Sequence, residues 1–414
     1  MTCGKINVNR GFLLAEAFNF AIQYINQKRG IFADQLDGVT LGYLSLDACQ
    51  SPAKATKLLS DTLSGLFKTS GADLPEKLVA FISPFTTDLF MPTSALLNGT
   101  DIVQVSYGVP ATEYFSGSPG QLLNVTPSDN TDINVIVAIL QRISIQYVQV
   151  VFSDSTYGRN AVASFKNLTR ISNICIAQSI SFYANNNTNT VVEMLLSKSK
   201  AKTVVLLLDS SHIRPFLLAM ERGTTAVKTY HLIASHTWPD NTELLRGLGS
   251  FILNTIVIYV QSTYIQEFDK YLAVQTPQNN IENTWLEEYY EELFDCNLKS
   301  TTSLQERCSA PFKSLVESPD YKQEPYSGQV INLVFSLAIT LHNTIGELCG
   351  ENRGICQRFW SNKGALLAKK LKLTTFQDLS GEEFSFLDDG YSDKGFNIKS
   401  VAMRNGSYYY RKVS

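Results

Sequence analysis

The feature that most constrains this chain is a set of short, almost unbroken apolar runs separated by segments of helical periodicity. Apolar runs stand at residues 78–82, 102–105, 147–152, 174–180, 204–208 and 231–234. Strands that are apolar at every position, rather than at alternate ones, must be covered on both faces. That is the condition of a parallel sheet with helices above and below. The intervening segments have the matching pattern. Leu14, Phe18, Ala21, Ile22 and Ile25 recur at helical spacing, and a strand is predicted to follow at 39–44. Ser51-Pro52 reads as an N-cap followed by proline at the first helical position, opening a helix through Ala55, Leu58, Leu59, Thr62 and Leu66.

A second series begins near Asp129, with Ile133, Ile136, Val137 and Leu140 on one helical face. Further helices are predicted at 159–168, 191–196 and 216–220. Two series of similar size predict an α/β fold of two doubly wound parallel-sheet lobes. Ligands of such sheets bind beyond the carboxyl ends of the strands, so the expected site is a cleft between the lobes. Beyond residue 260 the pattern turns helical, at 285–294, 329–347 and 365–371, while 65–76 and 295–326 read as loops. The expected lobes are 1–127 with 262–398, and 128–261 with 399–414.

Composition removes several function classes. The chain has 414 residues and a net charge of −3, which offers no electrostatic footprint for nucleic acid or an anionic membrane surface. The most apolar stretch, 330–341, is shorter than the roughly 20 residues a spanning helix needs, and it carries Asn332, Ser336 and Thr340. It reads as a buried core helix. The first residues lack the apolar core of a signal peptide. No zinc spacing, phosphate loop, dinucleotide fingerprint, Gly-x-Ser-x-Gly or His-Glu-x-x-His occurs, so neither a metal, a cofactor nor catalysis is expected. The run Glu287-Glu288 and Glu291-Glu292 reads as a solvated helix face.

Seven cysteines stand at 3, 49, 175, 296, 308, 349 and 356, and Asn-x-Ser/Thr sequons at Asn98, Asn124, Asn167, Asn186 and Asn405. Together they point to a glycosylated cell-surface or secreted chain. With no signal segment, the sequence reads as a fragment.

Several short segments occur in the order found in the ligand-binding domains of class C G-protein-coupled receptors, most like those of metabotropic glutamate receptors. They are Ala17-Phe18-Asn19-Phe20-Ala21-Ile22 with Ile25-Asn26, Val39-Thr40-Leu41-Gly42-Tyr43 with Asp47-Ala48-Cys49, and Thr126-Pro127-Ser128-Asp129. Tyr157-Gly158, Ile174-Cys175-Ile176-Ala177 and Gly381-Glu382-Glu383-Phe384 complete the series, the last ahead of the closing strands. The chain therefore resembles a Venus flytrap domain of type I periplasmic-binding-protein-like fold.

The resemblance implies bridges Cys3–Cys49, Cys296–Cys308 and Cys349–Cys356, and leaves Cys175 for a cysteine-rich domain that follows. That domain and seven membrane helices would lie outside this chain. It implies a non-covalent homo- or heterodimer, because the loop after Leu66 lacks the cysteine that links subunits in glutamate-receptor relatives. A glycan at Asn98 would weaken that contact.

For the ligand, the resemblance assigns Thr86 and Thr87 to an α-carboxylate, although Asp88 beside them would repel an anion and Pro110 has neither hydroxyl nor N–H. Asp129 and Tyr157 correspond to ammonium partners. His236 replaces an aspartate of the family, and Leu14 and Trp360 replace its distal basic residues. A second carboxylate buried without a cation would cost several kcal/mol, which argues against glutamate. The expected function is small-molecule sensing by lobe closure on the extracellular side of the plasma membrane. The alternatives within the fold are a guanylyl-cyclase-type receptor ectodomain and a secreted binding protein.

Overall fold

The computed structural model describes residues 3–6, 10–66, 74–84, 86–108, 122–183, 188–280, 283–299, 307–308, 310–319, 321–350, 354–361, 363–388, 390–392 and 394–413. They fall into two compact units. Unit 1 takes in the described residues up to 108, then 122–126 and those from Ser262 onward to 392. Unit 2 takes in Pro127–Gln261 and the residues from Lys394 on.

Along the chain, unit 1 opens with helices α1 (Gly11–Asn26), α2 (Pro52–Leu63) and α3 (Leu74–Lys77), strand β1 (Ala80–Ile82), helix α4 (Thr87–Leu97) and strands β2 (Val103–Ser106) and β3 (Leu122–Asn124). Unit 2 follows with α5 (Asp129–Arg142), β4 (Tyr147–Ser153), α6 (Thr156–Ile171), β5 (Cys175–Phe182), α7 (Thr188–Ser197), β6 (Thr203–Leu207), α8 (Ser210–Arg222), β7 (His231–Ala234) and β8 (Ile256–Val260). The chain returns to unit 1 with α9 (Gln266–Ala273), α10 (Leu286–Phe294), α11 (Ser327–Cys349), α12 (Gln357–Trp360), α13 (Lys363–Leu371), β9 (Phe376–Gln377) and β10 (Glu383–Phe384). It ends in unit 2 with β11 (Phe396–Arg404) and β12 (Ser407–Lys412).

Unit 2 is a seven-stranded sheet in the order β12-β11-β8-β7-β6-β4-β5. Strands β8, β7, β6, β4 and β5 run parallel, and the hairpin β11–β12 joins antiparallel on β8. Every residue of β6 is buried. Val204 and Leu206 belong to a core with Phe216, Leu217 and Met220 of α8, while Val205 and Leu207 belong to a second core with Ile136 and Leu140 of α5 and Phe165 of α6. Full burial of each such side chain is worth about 1.5–3 kcal/mol, so the continuous apolar run reflects two cores served by one strand. The same pairing corrects one expected boundary. Residues 394–398 belong with unit 2, since Phe396 to Ser400 form the register of β11 on β8.

In unit 1, β1, β2 and β3 form a parallel sheet in that order. Helix α2 begins as its sequence dictates, Ser51 accepting from the Lys54 N–H with Pro52 in the first turn. The helix read from 330–341 extends as α11 and is largely buried in the fold. No strand is described at 39–44. There the backbone of Leu41 exchanges two 2.9 Å hydrogen bonds with the Asn26 side chain, an amide acting as the ladder partner. The buried carboxylate of Glu16 receives Asn280, Asn283 and the Tyr271 hydroxyl, fixing α1 to the segment ahead of α10. The three bridges Cys3–Cys49, Cys296–Cys308 and Cys349–Cys356 are formed, and Cys175 is free and exposed.

Gly158 shows why one position in unit 2 admits no side chain. A Cβ there would lie 2.0 Å from the Ser153 carbonyl oxygen, a backbone atom at the end of β4. Gly158→Ala should therefore push the first turn of α6 off the sheet and destabilise the protein by about 2 kcal/mol or more, measured as a lowered urea midpoint.

Candidate functional site

Four of the expected residues follow carboxyl ends of strands: Thr86 and Thr87 after β1, Tyr157 after β4 and His236 after β7. In unit 1, β1 leads through Ser83 to Thr86, the N-cap of α4, and Thr87, its first residue. Thr86 is exposed, and its side chain makes no cap hydrogen bond, so the hydroxyl is not committed to the helix. Gln104 of β2 fixes this turn, donating 2.9 Å to the buried Ser83 hydroxyl and accepting from Ser94 of α4 at 2.9 Å. A helix start with hydroxyls and first-turn N–H groups suits a carboxylate. Asp88 occupies that same first turn, where the helix dipole favours a carboxylate of the protein's own. Pro110 lies outside the described residues.

Sequence reasoning passed over Arg10. It is the N-cap residue of α1, and its Nε donates at 3.1 Å to the buried Glu324, three residues ahead of α11. The pair ties the starts of two helices that pack together, and the guanidinium also lies 5.6 Å from the Tyr326 ring centre. Burial pushes the Glu324 carboxyl up to about 7, although Arg10 and the Tyr326 N–H pull it down. Burial and Glu324 push the phenol of Tyr107, just after β2, up to about 12. A basic residue immediately ahead of the first helix was the signal available in the sequence.

In unit 2, Ser128 caps α5, its hydroxyl accepting from the Thr131 N–H at 3.2 Å. Asp129 is therefore the first helical residue rather than the cap, and its side chain lies outside the described residues. Tyr157 sits in the first turn of α6, buried, and donates at 2.9 Å to Ser235 after β7. Its ring stands edge-on to the His236 imidazole, with centroids 5.8 Å apart. His236 is not a surface residue: its Nδ1 lies 3.0 Å from Oδ2 of Asp132, with the two side chains only 8% and 1% exposed. Thus the structure brings together Tyr157, His236 and, beside them, Asp132. Its spacing of three from Asp129, which places both on one face of α5, is the signal that would have found it.

Trp360 is the last residue of α12 in unit 1. It packs edge-on to Phe359, with the Lys363 ammonium 5.1 Å from its ring. The Gly364 N–H donates to Asp101, two residues ahead of β2, and so anchors this helix start at the amino-terminal end of the strand, whereas Thr86 and Thr87 follow the carboxyl end of β1. The sequons Asn98, Asn167 and Asn405 are exposed, and Asn186 lies outside the described residues. Asn124 is 3% exposed, and its Oδ1 accepts from the N–H and hydroxyl of Thr126, which leaves no room for a glycan.

One further cluster has the residue types of a nucleophilic relay. Ser153, His212 and Asp209 lie together after β4 and β6, with Ser153 Oγ 2.7 Å from His212 Nδ1. Asp209 Oδ2 approaches that same nitrogen, at 3.8 Å, and Ser153 is fully buried. A relay needs the serine and the acid on opposite ring nitrogens, so this group is a structural tie.

The receptor family ligand binding region matches residues 13–402, and the chain belongs to that family. Its sequence is 25% identical to metabotropic glutamate receptor 4 of Mus musculus and of Rattus norvegicus over 434 aligned residues, which cover 99% of this chain and 47% of each relative. Metabotropic glutamate receptor 4 of Macaca fascicularis matches over the same share. The fold and these comparisons identify a receptor ligand-binding domain of the class C type, and the chain spans about half the length of the curated relatives it matches.

The raised Glu324 carboxyl makes unit 1 sensitive to pH. A folded-state value of about 7 against an ordinary 4.5 means the native chain holds this proton more tightly than the unfolded one. The resulting stability, about 3 kcal/mol at most, is fully present below the ordinary value and lost as pH rises through about 7. Wild-type denaturation midpoints should fall over that window, and Glu324→Gln should flatten the fall.

Proposed function

We propose that this chain is the extracellular ligand-binding part of a cell-surface receptor that senses a small molecule by closing its two units on it. The observation that carries the proposal is the placement of polar groups at strand carboxyl ends in both units. Thr86 and Thr87 stand at a helix start in unit 1, and Tyr157, Ser235, His236 and Asp132 form a buried cluster in unit 2. A ligand touching both sets would favour the closed arrangement, because only that arrangement supplies all its contacts. Binding, not catalysis, is the chemistry these groups support, since the Ser153–His212–Asp209 group lacks relay geometry.

The ligand is an amino acid or a related small molecule rather than glutamate. Leu14 and Trp360 are apolar where a distal carboxylate would need cations, and the Arg10 guanidinium is paired with Glu324. The exposed Cys175 is suited to bond with a following cysteine-rich domain. The remaining proposals are a non-covalent homo- or heterodimer, glycans at Asn98, Asn167 and Asn405, and a membrane domain beyond this chain. The class C layout of motifs and bridges favours this reading over a guanylyl-cyclase-type ectodomain or a secreted binding protein.

A thermal-shift panel of amino acids, amines, small peptides and carboxylic acids on the secreted, glycosylated chain tests the proposal. A true ligand at about 100 times its Kd should add roughly 2.7 kcal/mol of stability, a rise of a few degrees. A blank across every class, from folded protein, would count against a sensor role.

A further inference from the structure

The net charge of −3 over the whole chain conceals a segregation. Residues 127–261 and 394–414, the bulk of unit 2, carry 16 Lys and Arg against 8 Asp and Glu, while the rest of the chain carries 19 against 30. Within unit 2 the charges are also sorted along the strands. Asp129 and Asp132 open α5, Asp154 follows β4 and Asp209 follows β6, all at the carboxyl-terminal end of the parallel strands. The opposite end is basic. Arg142 and Arg170 stand in the last turns of α5 and α6. Lys198, Lys200 and Lys202 fill the connection from α7 to β6. Arg404 closes β11, which runs antiparallel to β8 and so ends beyond the start of that strand.

These side chains are exposed and uncommitted. Lys202 donates to the Thr229 hydroxyl and lies 4.6 Å from the Tyr230 ring centre. Lys228 is engaged by Glu221 at 3.0 Å, whereas Arg142, Arg170, Arg404 and the three lysines have no ionic partner among the described residues. The helix dipole accounts for Arg142 and Arg170. It does not account for Lys200, Lys202 and Arg404, which stand outside any helix. Like charges gathered without partners repel one another, and a polyanion relieves that repulsion. The row is also long. It runs past the starts of β5, β4 and β6 and on to the β11–β12 hairpin at the far edge, and seven strands make that end about 29 Å wide. A row of that length suits a linear polymer of repeated anions rather than one compact anion.

We infer that the amino-terminal end of the unit 2 sheet binds a sulfated polysaccharide of the cell surface. Sulfate groups accept charge-assisted hydrogen bonds from lysine and arginine, and basic patches of this kind recognise heparin-like polymers. The inference rests on the extracellular placement proposed above, and that placement selects the polymer. Anionic lipids concentrate in the cytoplasmic leaflet, which an extracellular domain does not meet. The patch also extends away from Cys175. That thiol opens β5 at one edge of the sheet, whereas the lysines precede β6, two strands further in, and Arg404 lies towards the other edge.

The test measures binding of the secreted 414-residue chain to immobilised heparin at neutral pH, beside the same polymer stripped of its sulfates. The isoelectric point near 5.9 makes the chain anionic as a whole, so retention cannot come from its net charge. The wild type should bind heparin at roughly 0.15 M salt, release it as salt rises, and ignore the desulfated polymer. Lys198→Glu with Lys200→Glu and Arg404→Glu should weaken binding about tenfold or more. Lys77→Glu with Lys270→Glu and Lys369→Glu makes the same change of net charge on exposed residues of unit 1 and should bind as the wild type does. If a urea midpoint shows the first variant unfolded, Lys198→Ala with Lys200→Ala takes its place, with a loss of about threefold or more. No retention of the wild type, equal retention on the desulfated polymer, or an equal loss in both triple variants would overturn the inference. Tighter binding to phosphatidylserine vesicles than to heparin would overturn it in favour of a membrane contact. Because no small ligand enters the measurement, its failure leaves the sensing reading standing.

Discussion

The sheet of unit 2 depends on strands that are buried on both faces. Val204, Val205, Leu206 and Leu207 send alternate side chains into two separate cores, so helices must cover both sides and every connection must pass over a strand end. Polar residues then have one place to converge. Ser153 ends β4, and Tyr157, Asp209, Ser235 and His236 lie just beyond carboxyl ends of parallel strands. The Gly158 contact is the tightest expression of this constraint: the helix that carries Tyr157 starts against the carbonyl of the strand that feeds it.

The polar clusters share a physical economy. Buried carboxylates are met inside each unit: Glu324 by Arg10, and Asp132 by His236. Breaking such a pair by removing one partner costs several kcal/mol, so these groups hold their elements firmly as well as presenting charge. The two clusters differ in one respect. Both Glu324 oxygens are engaged, one by Arg10 and one by the Tyr326 N–H. Asp132 has one buried oxygen with no hydrogen-bond partner among the described residues.

Much of the fold was legible in the sequence because its signals are local. Strand His231–Ala234 and the helix start at Ser51-Pro52 follow from apolar runs and capping chemistry alone. Strands β8 and β11 were not placed, since their mutual pairing is fixed by contacts across more than 130 residues of chain, as in Phe396 on Val260, and β12 joins the sheet only through its hairpin with β11. The strand expected at 39–44 depends on a partner, and the described structure gives Leu41 the side chain of Asn26 instead. The site was legible in part. Tyr157 and His236 were named by motif position and lie side by side, but the spacing from Asp129 to Asp132 is meaningful only once α5 is seen to bring Asp132 to His236. Trp360 was placed by counting from Cys356, and its described contacts are the local ones with Phe359 and Lys363.

The central claim is that a small molecule bound by both units closes them. Small-angle X-ray scattering of the secreted chain, with and without a saturating ligand, measures this most directly. The account predicts a smaller radius of gyration in the bound sample, with the change lost in a variant that no longer binds. An unchanged scattering curve at full occupancy would contradict it.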